Sequence, residues 1–254
     1  MMNFLCENRK QLLAIFDVEG VLYDAEYLPI LAEKVNKEKE IWDITKQGIQ
    51  GTINWEDGLK RRVQLLKGID IETCKEVADS LPIMTGAKVA CETLKSAGWK
   101  IMAVSGGFTL MMERLQKELG LDHVFCNDLI FKDGKLDGVK INVDSDKSKS
   151  ANIKIEEWGE KKENIVCVVD GANDIKLFDV CGLGIAYRAQ DLVKDLATTK
   201  GITTTRGSLA LNNFVPDNDE VMVSRLKDAG LVILGKTNLP EFGHLPTNEN
   251  RLGE

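Results

Sequence analysis

The sequence predicts an α/β protein built on a doubly wound parallel sheet. Three short apolar runs, at residues 11–17, 100–104 and 165–169, have the length and continuity of strands buried on both faces of a sheet. Helical patterns at residues 86–97 and 109–119 precede and follow the second run. Such alternation of strands and helices is typical of a doubly wound sheet, in which ligands bind at the carboxyl ends of the strands.

Glycines mark where the predicted helices end and where the chain turns. Gly98 and Gly120 directly follow the two helical patterns, as glycine commonly does at a helix C-terminus. Asp133-Gly134 stands within the segment 128–143 and predicts a β-hairpin there. Residues 27–83 are mostly helical and fall between the first two strands. We therefore expect these helices to form a cap over the site.

Length, charge and cysteine content exclude several classes of protein. The 254 residues leave room for one large domain or two small ones, with 43% hydrophobic and 29% charged residues. A net charge of −7 argues against a nucleic-acid binder, which needs a basic surface. No apolar run approaches the ~20 residues that span a bilayer, so no membrane association is expected. The six cysteines include no Cys-x-x-Cys pair, which disfavours a zinc site and, without a signal peptide, indicates a reducing cytoplasm.

Asp17 and Glu19 follow the first predicted strand and could carry phosphoryl chemistry. The Asp17 carboxylate could attack phosphorus if a divalent cation such as Mg²⁺ screens the repulsion between the two anions. Glu19 could protonate the leaving oxygen and then activate a water molecule. Gly20 lets the backbone turn tightly after them. Taken alone, Asp17 could cap a turn and Glu19 could be a solvated loop acid, so the interpretation depends on the other motifs.

Two further motifs stand at the ends of predicted strands. Ser105-Gly106-Gly107 offers a hydroxyl and backbone N–H groups that could hold a phosphate, although such a triplet is usually only a turn. The string from Asp170 to Asp174, Asp-Gly-Ala-Asn-Asp, is far more specific. Its first acid could bind a metal directly, and its last two residues could orient the site.

A lysine upstream of the last predicted strand would complete this set. Lys149 could offset the negative charge of the acids and of a bound phosphate. An ammonium about 4 Å from a phosphate is worth roughly 4 kcal/mol at an effective dielectric constant near 20. Lys147 is close enough in the sequence that either lysine could fill this role.

Together these motifs resemble those of the haloacid dehalogenase-like phosphatases of the phosphoserine phosphatase type. The resemblance spans about residues 11–192 and includes Asp-x-Glu at 17–19, Ser-Gly-Gly-Phe at 105–108, Lys-Asp-Gly-Lys-Leu at 132–136 and Asp-Gly-Ala-Asn-Asp at 170–174. It implies a Rossmann-like core of residues 1–23 and 86–192 with an inserted helical cap of residues 24–85. It also implies Mg²⁺ as the cofactor, an aspartyl-phosphate intermediate and a small phosphorylated amino acid as the substrate.

The resemblance further implies a role for each site residue. The implied catalytic pair is Asp17, as nucleophile, and Glu19, as acid/base, and the implied phosphate-binding residues are Ser105, Gly106 and Lys149. The implied metal ligands are Asp17, Glu19, Asp170 and Asp174. The implied substrate-binding residues are Glu26 for the amino group, Arg62 for the carboxylate, and Asn173. A planar guanidinium that pairs with a carboxylate gives the second of these a sound physical basis.

Glu19 departs from the pattern of the family, most of whose members have aspartate at this position. The additional methylene could displace the carboxyl by roughly 1 Å, and such a displacement can lower the rate on the order of 100-fold. The string Asp-x-Glu-Gly-Val-Leu also resembles a subgroup that combines phosphoserine hydrolysis with phosphoryl transfer to homoserine. A phosphotransferase therefore stands as the alternative activity.

From about Leu192 the sequence changes character. Residues 193–254 resemble the N-terminal part of the amidase-signature family, with Lys194 at the position of the lysine in a Ser–cis-Ser–Lys triad. The sequence reaches Glu254 without the segment that bears the two serines. We expect no amidase activity, because a lysine base without a serine nucleophile cannot perform acyl transfer. This truncated segment could come from a gene fusion or a misassembled reading frame, and a non-catalytic fusion product is a third hypothesis; the oligomeric state is left open.

Overall fold

A six-stranded sheet with the strand order β4-β3-β2-β1-β5-β6 forms the centre of the fold. The computed structural model describes residues 12–49, 53–188 and 213–219. The strands are β1 Leu13–Phe16, β2 Lys100–Phe108, β3 His123–Lys132, β4 Lys135–Lys140, β5 Ile165–Val169 and β6 Leu183–Ala186. All neighbouring strands are parallel except β3 and β4, which are antiparallel. The predicted α/β fold is confirmed.

The helical patterns at residues 86–97 and 109–119 and within residues 27–83 are confirmed, and the chain forms a further helix after β4 that the sequence analysis did not predict. Within the described ranges the helices are α1 Tyr27–Glu33, α2 Glu38–Ile49, α3 Trp55–Leu65, α4 Ile71–Ser80, α5 Ala87–Ser96, α6 Thr109–Leu119 and α7 Lys147–Trp158. Short 3-10 helices span Lys162–Asn164 and Ala172–Val180. Gly98 and Gly120 have φ angles of 82° and 66° just beyond α5 and α6. This left-handed conformation, which glycine adopts without strain, ends both helices near the predicted residues.

The sheet is covered on both faces. Ala14 and Phe16 of β1 belong to one buried cluster, and Leu13 and Ile15 belong to another. Because successive side chains of a strand point to opposite faces, a strand that is apolar at every position must be covered on both sides. The first cluster contains side chains of α5 and α6, and the second contains side chains of α7. This is the doubly wound arrangement.

The register of the central strands brings their carboxyl ends together. Phe16 lies beside Ala103 of β2 and Val168 of β5. Asp17, Ser105 and Asp170 follow these residues by one or two positions. The N–H group of Asp17 still donates to the carbonyl oxygen of Val168, at 2.9 Å, so the first acid is held in the frame of the sheet.

The hairpin predicted within 128–143 is formed by β3 and β4. Lys132 pairs with Lys135, and the two residues between them, Asp133 and Gly134, have φ angles of 51° and 74°. Two consecutive positive φ angles are the signature of a tight hairpin turn, which explains the choice of residues. β3 begins earlier than the hairpin pattern indicated, because its first residues also pair with β2 in parallel.

Helices α1 to α4 are inserted between β1 and β2, and the chain enters and leaves this region at adjacent points. The N–H group of Asp24 donates to the carbonyl oxygen of Pro82 at 2.9 Å, and that of Met84 donates to Leu22 at 2.8 Å. The division into a core of residues 1–23 and 86–192 and a cap of residues 24–85 stays a prediction.

The loop between α3 and α4 is also bound to the hairpin. The N–H group of Gly68 donates to the carbonyl oxygen of Leu136 at 2.8 Å, and Leu136 donates to Ile69 at 2.7 Å. Ile71 donates to Gly134 at 2.8 Å. The inserted helices are therefore attached to the sheet through β4 as well as through the two chain crossings.

The sequence analysis also concerned the C-terminal segment and the absence of a membrane span. Lys194 and the amidase-like segment 193–254, apart from residues 213–219, lie outside the described residues. Among the helices that the structure describes, none has the length and apolar character required to cross a membrane.

Candidate active site

Three carboxylates meet at the carboxyl edge of the sheet. Asp17 follows β1, Asp170 follows β5, and Asp174 lies in the 3-10 helix that comes next. One carboxylate oxygen from each lies within 4.8 Å of the others. Asp17 and Asp174 are buried, whereas Asp170 is partly accessible. The structure thus brings together three of the four acids expected to bind metal.

Lys147, the first residue of α7, places its ammonium between two of these acids. Its Nζ atom lies 2.7 Å from Oδ1 of Asp17 and 2.6 Å from Oδ1 of Asp174, with 8% of the side chain exposed. Lys149 is exposed instead, and its Nζ atom pairs with Oδ2 of Asp144 at 2.8 Å. The preference for Lys149 is therefore corrected. Residues two apart in an α-helix point about 200° away from each other, so only one of the two lysines can face the site.

Burial and mutual repulsion perturb the acids of this group. Burial raises the pKa of Asp174 well above its usual value, and the nearby charge of Asp17 raises it further, while Lys147 opposes the shift. Burial and Asp17 also raise the pKa of Asp170 to about 6. For Lys147 burial disfavours the charged form, but the attraction of Asp17 and Asp174 is stronger and raises the pKa. The ammonium of Lys147 therefore partly offsets the negative charge of Asp17, Asp170 and Asp174.

The donor set fits a divalent cation. Asp174 Oδ1 faces the ammonium of Lys147, whereas its Oδ2 atom is buried and meets no hydrogen-bond donor among the described residues. A buried carboxylate oxygen without a partner is costly, and a metal ion would satisfy it. Mg²⁺ prefers carboxylate oxygens at partly solvated sites, which matches Asp17, Asp170 and Asp174.

Glu19 lies beside this group rather than within it. Its Oε1 atom accepts a hydrogen bond from the N–H group of Tyr27 at 2.7 Å. It is absent from the described carboxylates whose oxygens converge within 4.8 Å, and its expected role as a metal ligand stays a prediction. Burial raises the pKa of Glu19, and the charge of Asp17 adds to this effect.

The Ser-Gly-Gly triplet forms the end of β2 instead of a turn after it. Ser105 is buried, and its Oγ atom accepts a hydrogen bond from the N–H group of Gly107 at 2.9 Å. A side chain on Gly107 would begin 3.3 Å from Oε2 of Glu19, so the triplet and the acid are neighbours. A side chain on Gly106 would begin 2.9 Å from the Trp55 ring. Trp55, at the start of α3, therefore covers this part of the site, a contact that the sequence analysis did not predict.

Gly20 is required by its surroundings as well as by its backbone. Its φ angle is 80°, which side chains rarely tolerate. A Cβ atom at this position would overlap the carboxylate of Asp170. The glycine that follows Glu19 therefore makes room for a metal-binding acid from another strand.

The inserted helices bring two of the expected substrate-binding residues towards the acids. Burial lowers the pKa of Arg62, while the nearby carboxylates of Glu19 and Glu26 raise it. The Arg62 Nε atom donates to the carbonyl oxygen of Gly58 at 3.4 Å. Glu26 directly precedes α1 and is exposed to solvent, although many protein atoms lie around its carboxylate. This crowding and the charge of Glu19 raise its pKa to about 8. The side chain of Asn173 lies outside what the structure describes.

Asn127 of β3 is a second residue that the sequence analysis missed. The side chain is fully buried, and its Nδ2 atom donates to the carbonyl oxygen of Gly106 at 2.8 Å. The sequence around Asn127 does not predict this contact. The residue pattern of a hairpin strand does not show whether an asparagine is buried and hydrogen-bonded or exposed. Only an asparagine at a position that the strand buries would have been a signal.

Comparison with known proteins identifies the family. A model of the haloacid dehalogenase-like hydrolases matches residues 12–182. The chain belongs to this family. A second family model, described as Amidase, matches residues 192–253, which form the C-terminal end of this chain. The expected change of character near Leu192 coincides with the start of the second match.

Similar proteins include two that are named phosphoserine phosphatase. The protein from Archaeoglobus fulgidus is 36% identical over 212 residues, which cover 82% of this chain and 59% of that protein. The protein from Methanocaldococcus jannaschii is 37% identical over 194 residues, which cover 74% of this chain and 91% of that protein. This chain thus spans less than two thirds of the first relative and most of the second.

Two solved structures of phosphoserine phosphatases show a similar fold. A phospho-aspartyl intermediate analogue of phosphoserine phosphatase aligns with a TM-score of 0.70 at 29% identity, covering 87% of this chain and 99% of that one. A substrate-bound phosphoserine phosphatase complex also aligns with a TM-score of 0.70, at 28% identity.

Proposed function

We propose that this chain hydrolyses phosphoserine to serine and phosphate in a Mg²⁺-dependent reaction that forms an aspartyl-phosphate at Asp17. The observation that carries the proposal is the ammonium of Lys147 between Asp17 and Asp174, beside Asp170, at the edge of the sheet that also holds Ser105. Relatives named phosphoserine phosphatase support the choice of substrate.

Asp17 is the proposed nucleophile. Its Oδ1 atom accepts hydrogen bonds from Lys147 Nζ and from the N–H group of Val18, both at 2.7 Å, and these bonds fix the plane of the carboxylate. Its attack forms a bond between a carboxylate oxygen and phosphorus and breaks the bond from phosphorus to the serine oxygen. A Mg²⁺ ion held by Asp17, Asp170 and Asp174 would supply the positive charge that lets two anions approach.

Glu19 is the proposed acid and base. Because its pKa is raised by burial, it can give a proton to the departing serine oxygen. The same carboxylate then takes a proton from a water molecule, which attacks the phosphorus and releases phosphate from Asp17. The bond from Tyr27 N–H holds the side chain in place for both steps.

The phosphoryl oxygens are proposed to face Ser105, Gly106 and Lys147. Since the Ser105 oxygen accepts from Gly107, its own hydrogen is left to donate to a phosphate oxygen. At the other end of the substrate, Arg62 is proposed to bind the carboxylate and Glu26 the amino group, and Asn173 to contact the substrate nearby. A guanidinium can form two parallel bonds to a carboxylate.

The test is phosphate release from phosphoserine in the presence of Mg²⁺. We expect Asp17→Asn to be nearly inert, because an amide cannot act as this nucleophile. Asp43→Asn makes the same change at an exposed position of α2 and should leave the rate unchanged. An Asp17→Asn protein that is as active as the wild type would exclude the proposed nucleophile.

Glu19 favours phosphoryl transfer as a second candidate, because the acid/base carries one methylene more than in most of the family. Homoserine added to the reaction would then yield phosphohomoserine by attack of its hydroxyl on the aspartyl-phosphate. Formation of inorganic phosphate alone would exclude this transfer.

The proposed location is the cytoplasm. Cys74, Cys91, Cys167 and Cys181 are buried thiols, and none of the cysteines within the described residues forms a disulfide. Reduced buried thiols are common in reducing compartments.

A further inference from the structure

The amide side chain of Asn127 forms hydrogen bonds to two parts of the candidate site, the end of β2 and the segment that follows β4. Its Nδ2 atom donates to the carbonyl oxygen of Gly106 at 2.8 Å. Its Oδ1 atom accepts from the N–H groups of Asn142, at 2.9 Å, and Val143, at 3.0 Å. The residue is fully buried, and its partners are one carbonyl and two N–H groups, so the orientation of the amide is unambiguous.

The bond to Gly106 fixes a peptide group of the Ser-Gly-Gly triplet. The carbonyl of Gly106 and the N–H group of Gly107 belong to one planar trans peptide, so they point in opposite directions. When Asn127 holds the carbonyl on one side, the N–H group is directed to the other, where it donates to the Ser105 Oγ atom at 2.9 Å. The orientation of the Ser105 hydroxyl therefore depends on the bond that Asn127 makes to the adjacent residue, Gly106.

The other two bonds fix the approach to Lys147. Asn142 and Val143 follow β4 and begin the segment that leads into α7, whose first residue is Lys147. Val143 is itself buried in the cluster that contains α7 side chains. The same amide thus holds the strand that supplies the hydroxyl and the segment that supplies the ammonium.

We propose that Asn127 is a positioning residue that sets the distance between the Ser105–Gly107 strand end and the Lys147 ammonium, and with it the fit of the phosphoryl group. This inference rests on the proposed function, because it assigns phosphate binding to both elements. Asn127 does not touch the acids of the site and acts through Gly106, Asn142 and Val143.

The test uses Asn127→Asp in the full chain. Aspartate keeps the shape and still accepts from Asn142 and Val143, but as a carboxylate it cannot donate to Gly106. We expect kcat/KM for phosphoserine to fall tenfold or more and the inhibition constant of orthophosphate to rise in parallel. Asn36→Asp is the control: it makes the same change at an exposed position just beyond α1, and we expect wild-type rates.

A double-mutant comparison separates positioning from a general loss of stability. If Asn127 acts through the Ser105 hydroxyl, adding Asn127→Asp to Ser105→Ala should lower kcat/KM by much less than it does in the wild type. Effects that multiply fully, or a folded Asn127→Asp protein with wild-type kcat/KM and orthophosphate inhibition, would overturn the inference. If Asn127→Asp does not melt cooperatively, Asn127→Ser, which adds no charge, is measured in the same way.

The failure of the proposed function can be distinguished from the failure of this inference. A wild-type protein that neither hydrolyses phosphoserine nor binds orthophosphate in the presence of Mg²⁺ would overturn both. An active wild type whose folded Asn127 variants match it would overturn the inference alone.

Discussion

The Nζ atom of Lys147 lies 2.7 Å from Oδ1 of Asp17, although 130 positions separate the two residues in the chain. The same ammonium lies 2.6 Å from Asp174 Oδ1. Because both side chains of the first pair are almost completely buried, the ion pair is little screened by water. Since Asp170 adds a third carboxylate, the group keeps a negative charge that a divalent cation can neutralise.

Replacement of Lys147 by methionine should affect both activity and stability. We expect phosphoserine hydrolysis to be almost lost, and the free energy of unfolding at pH 7 without Mg²⁺ to fall by about 3 kcal/mol, because two buried acids lose their cation. Lys149→Met removes an equal charge from an exposed position and should change neither quantity much. Steady-state rates and chemical denaturation measure the two effects; equal losses in both variants would contradict the assignment of the lysines.

Mg²⁺ should stabilise the folded protein. A ligand that binds only the folded state at 100 times its Kd contributes about 2.7 kcal/mol to the free energy of unfolding. We expect the melting temperature to rise when MgCl₂ is added and to fall back with a chelator, and this rise to shrink in Asp174→Asn. Asp179→Asn lies exposed in the same 3-10 helix and should retain the full rise. A rise of equal size in Asp174→Asn would remove that residue from the proposed metal site.

Two glycines with similar backbones but different surroundings test the packing against Asp170. The φ angles of Gly20 and Gly98 are 80° and 82°, so alanine should be strained at either position by about 1 kcal/mol. Only at Gly20 would the new Cβ atom meet the carboxylate of Asp170; at Gly98 nothing lies within 4 Å. We expect Gly20→Ala to weaken the Mg²⁺ dependence of the rate and Gly98→Ala to preserve it. Titration of activity with Mg²⁺ distinguishes them, and identical curves would show that the acid can move aside.

Adjacent arginines of α3 test the proposed binding of the substrate carboxylate. Arg62 is partly buried near Glu19 and Glu26, whereas Arg61 is exposed. Arg62→Lys should raise KM for phosphoserine roughly tenfold to hundredfold, since hydrogen bonds to charged groups are worth about 1.5–3 kcal/mol. Arg61→Lys should leave KM unchanged. Phosphoethanolamine lacks the carboxylate, so KM for this substrate should change little in either variant. A rise in KM for phosphoethanolamine in Arg62→Lys alone would contradict the proposed role of Arg62.

The raised pKa of Glu26 gives a stability difference with a defined sign. The folded protein holds the Glu26 proton up to about pH 8, while the unfolded chain releases it near 4.5. Between these values the folded state binds more protons, so this residue makes stability fall as pH rises. Glu26→Gln removes the charge, so it should match the wild type at pH 4 and be more stable at pH 8. Thermal unfolding without Mg²⁺ across this range measures the difference; a difference that shrinks towards high pH would contradict the sign.

The features of the site that depend on local sequence patterns could be predicted from the sequence. Continuous apolar runs located the strands that end before Asp17 and Asp170, and parallel pairing then required their ends to meet. The hairpin followed from Asp133-Gly134 because that pair is suited to two consecutive positive φ angles. These features depend on short stretches of chain, and the fold confirms them.

What the sequence left open depends on contacts between distant elements. The choice between Lys147 and Lys149 depends on where α7 begins, and that start is fixed by Asp146, whose carboxylate accepts from the N–H group of Ser148 at 3.3 Å. Asp144 could have capped the helix equally well in the sequence, so the facing lysine was undetermined. Trp55 over Gly106 depends on packing between elements that no periodicity indicates.

The pairing of Gly68 and Ile69 with Leu136 has a consequence for solution behaviour. β4 is the outermost strand on its side of the sheet, and an outermost strand with unsatisfied backbone groups can recruit another molecule. Here the N–H and carbonyl groups of Leu136 are already bonded within the chain. The loop between α3 and α4 thus protects the edge strand β4 from pairing with another molecule. We expect a variant in which this loop is detached to self-associate through β4 before its sheet unfolds.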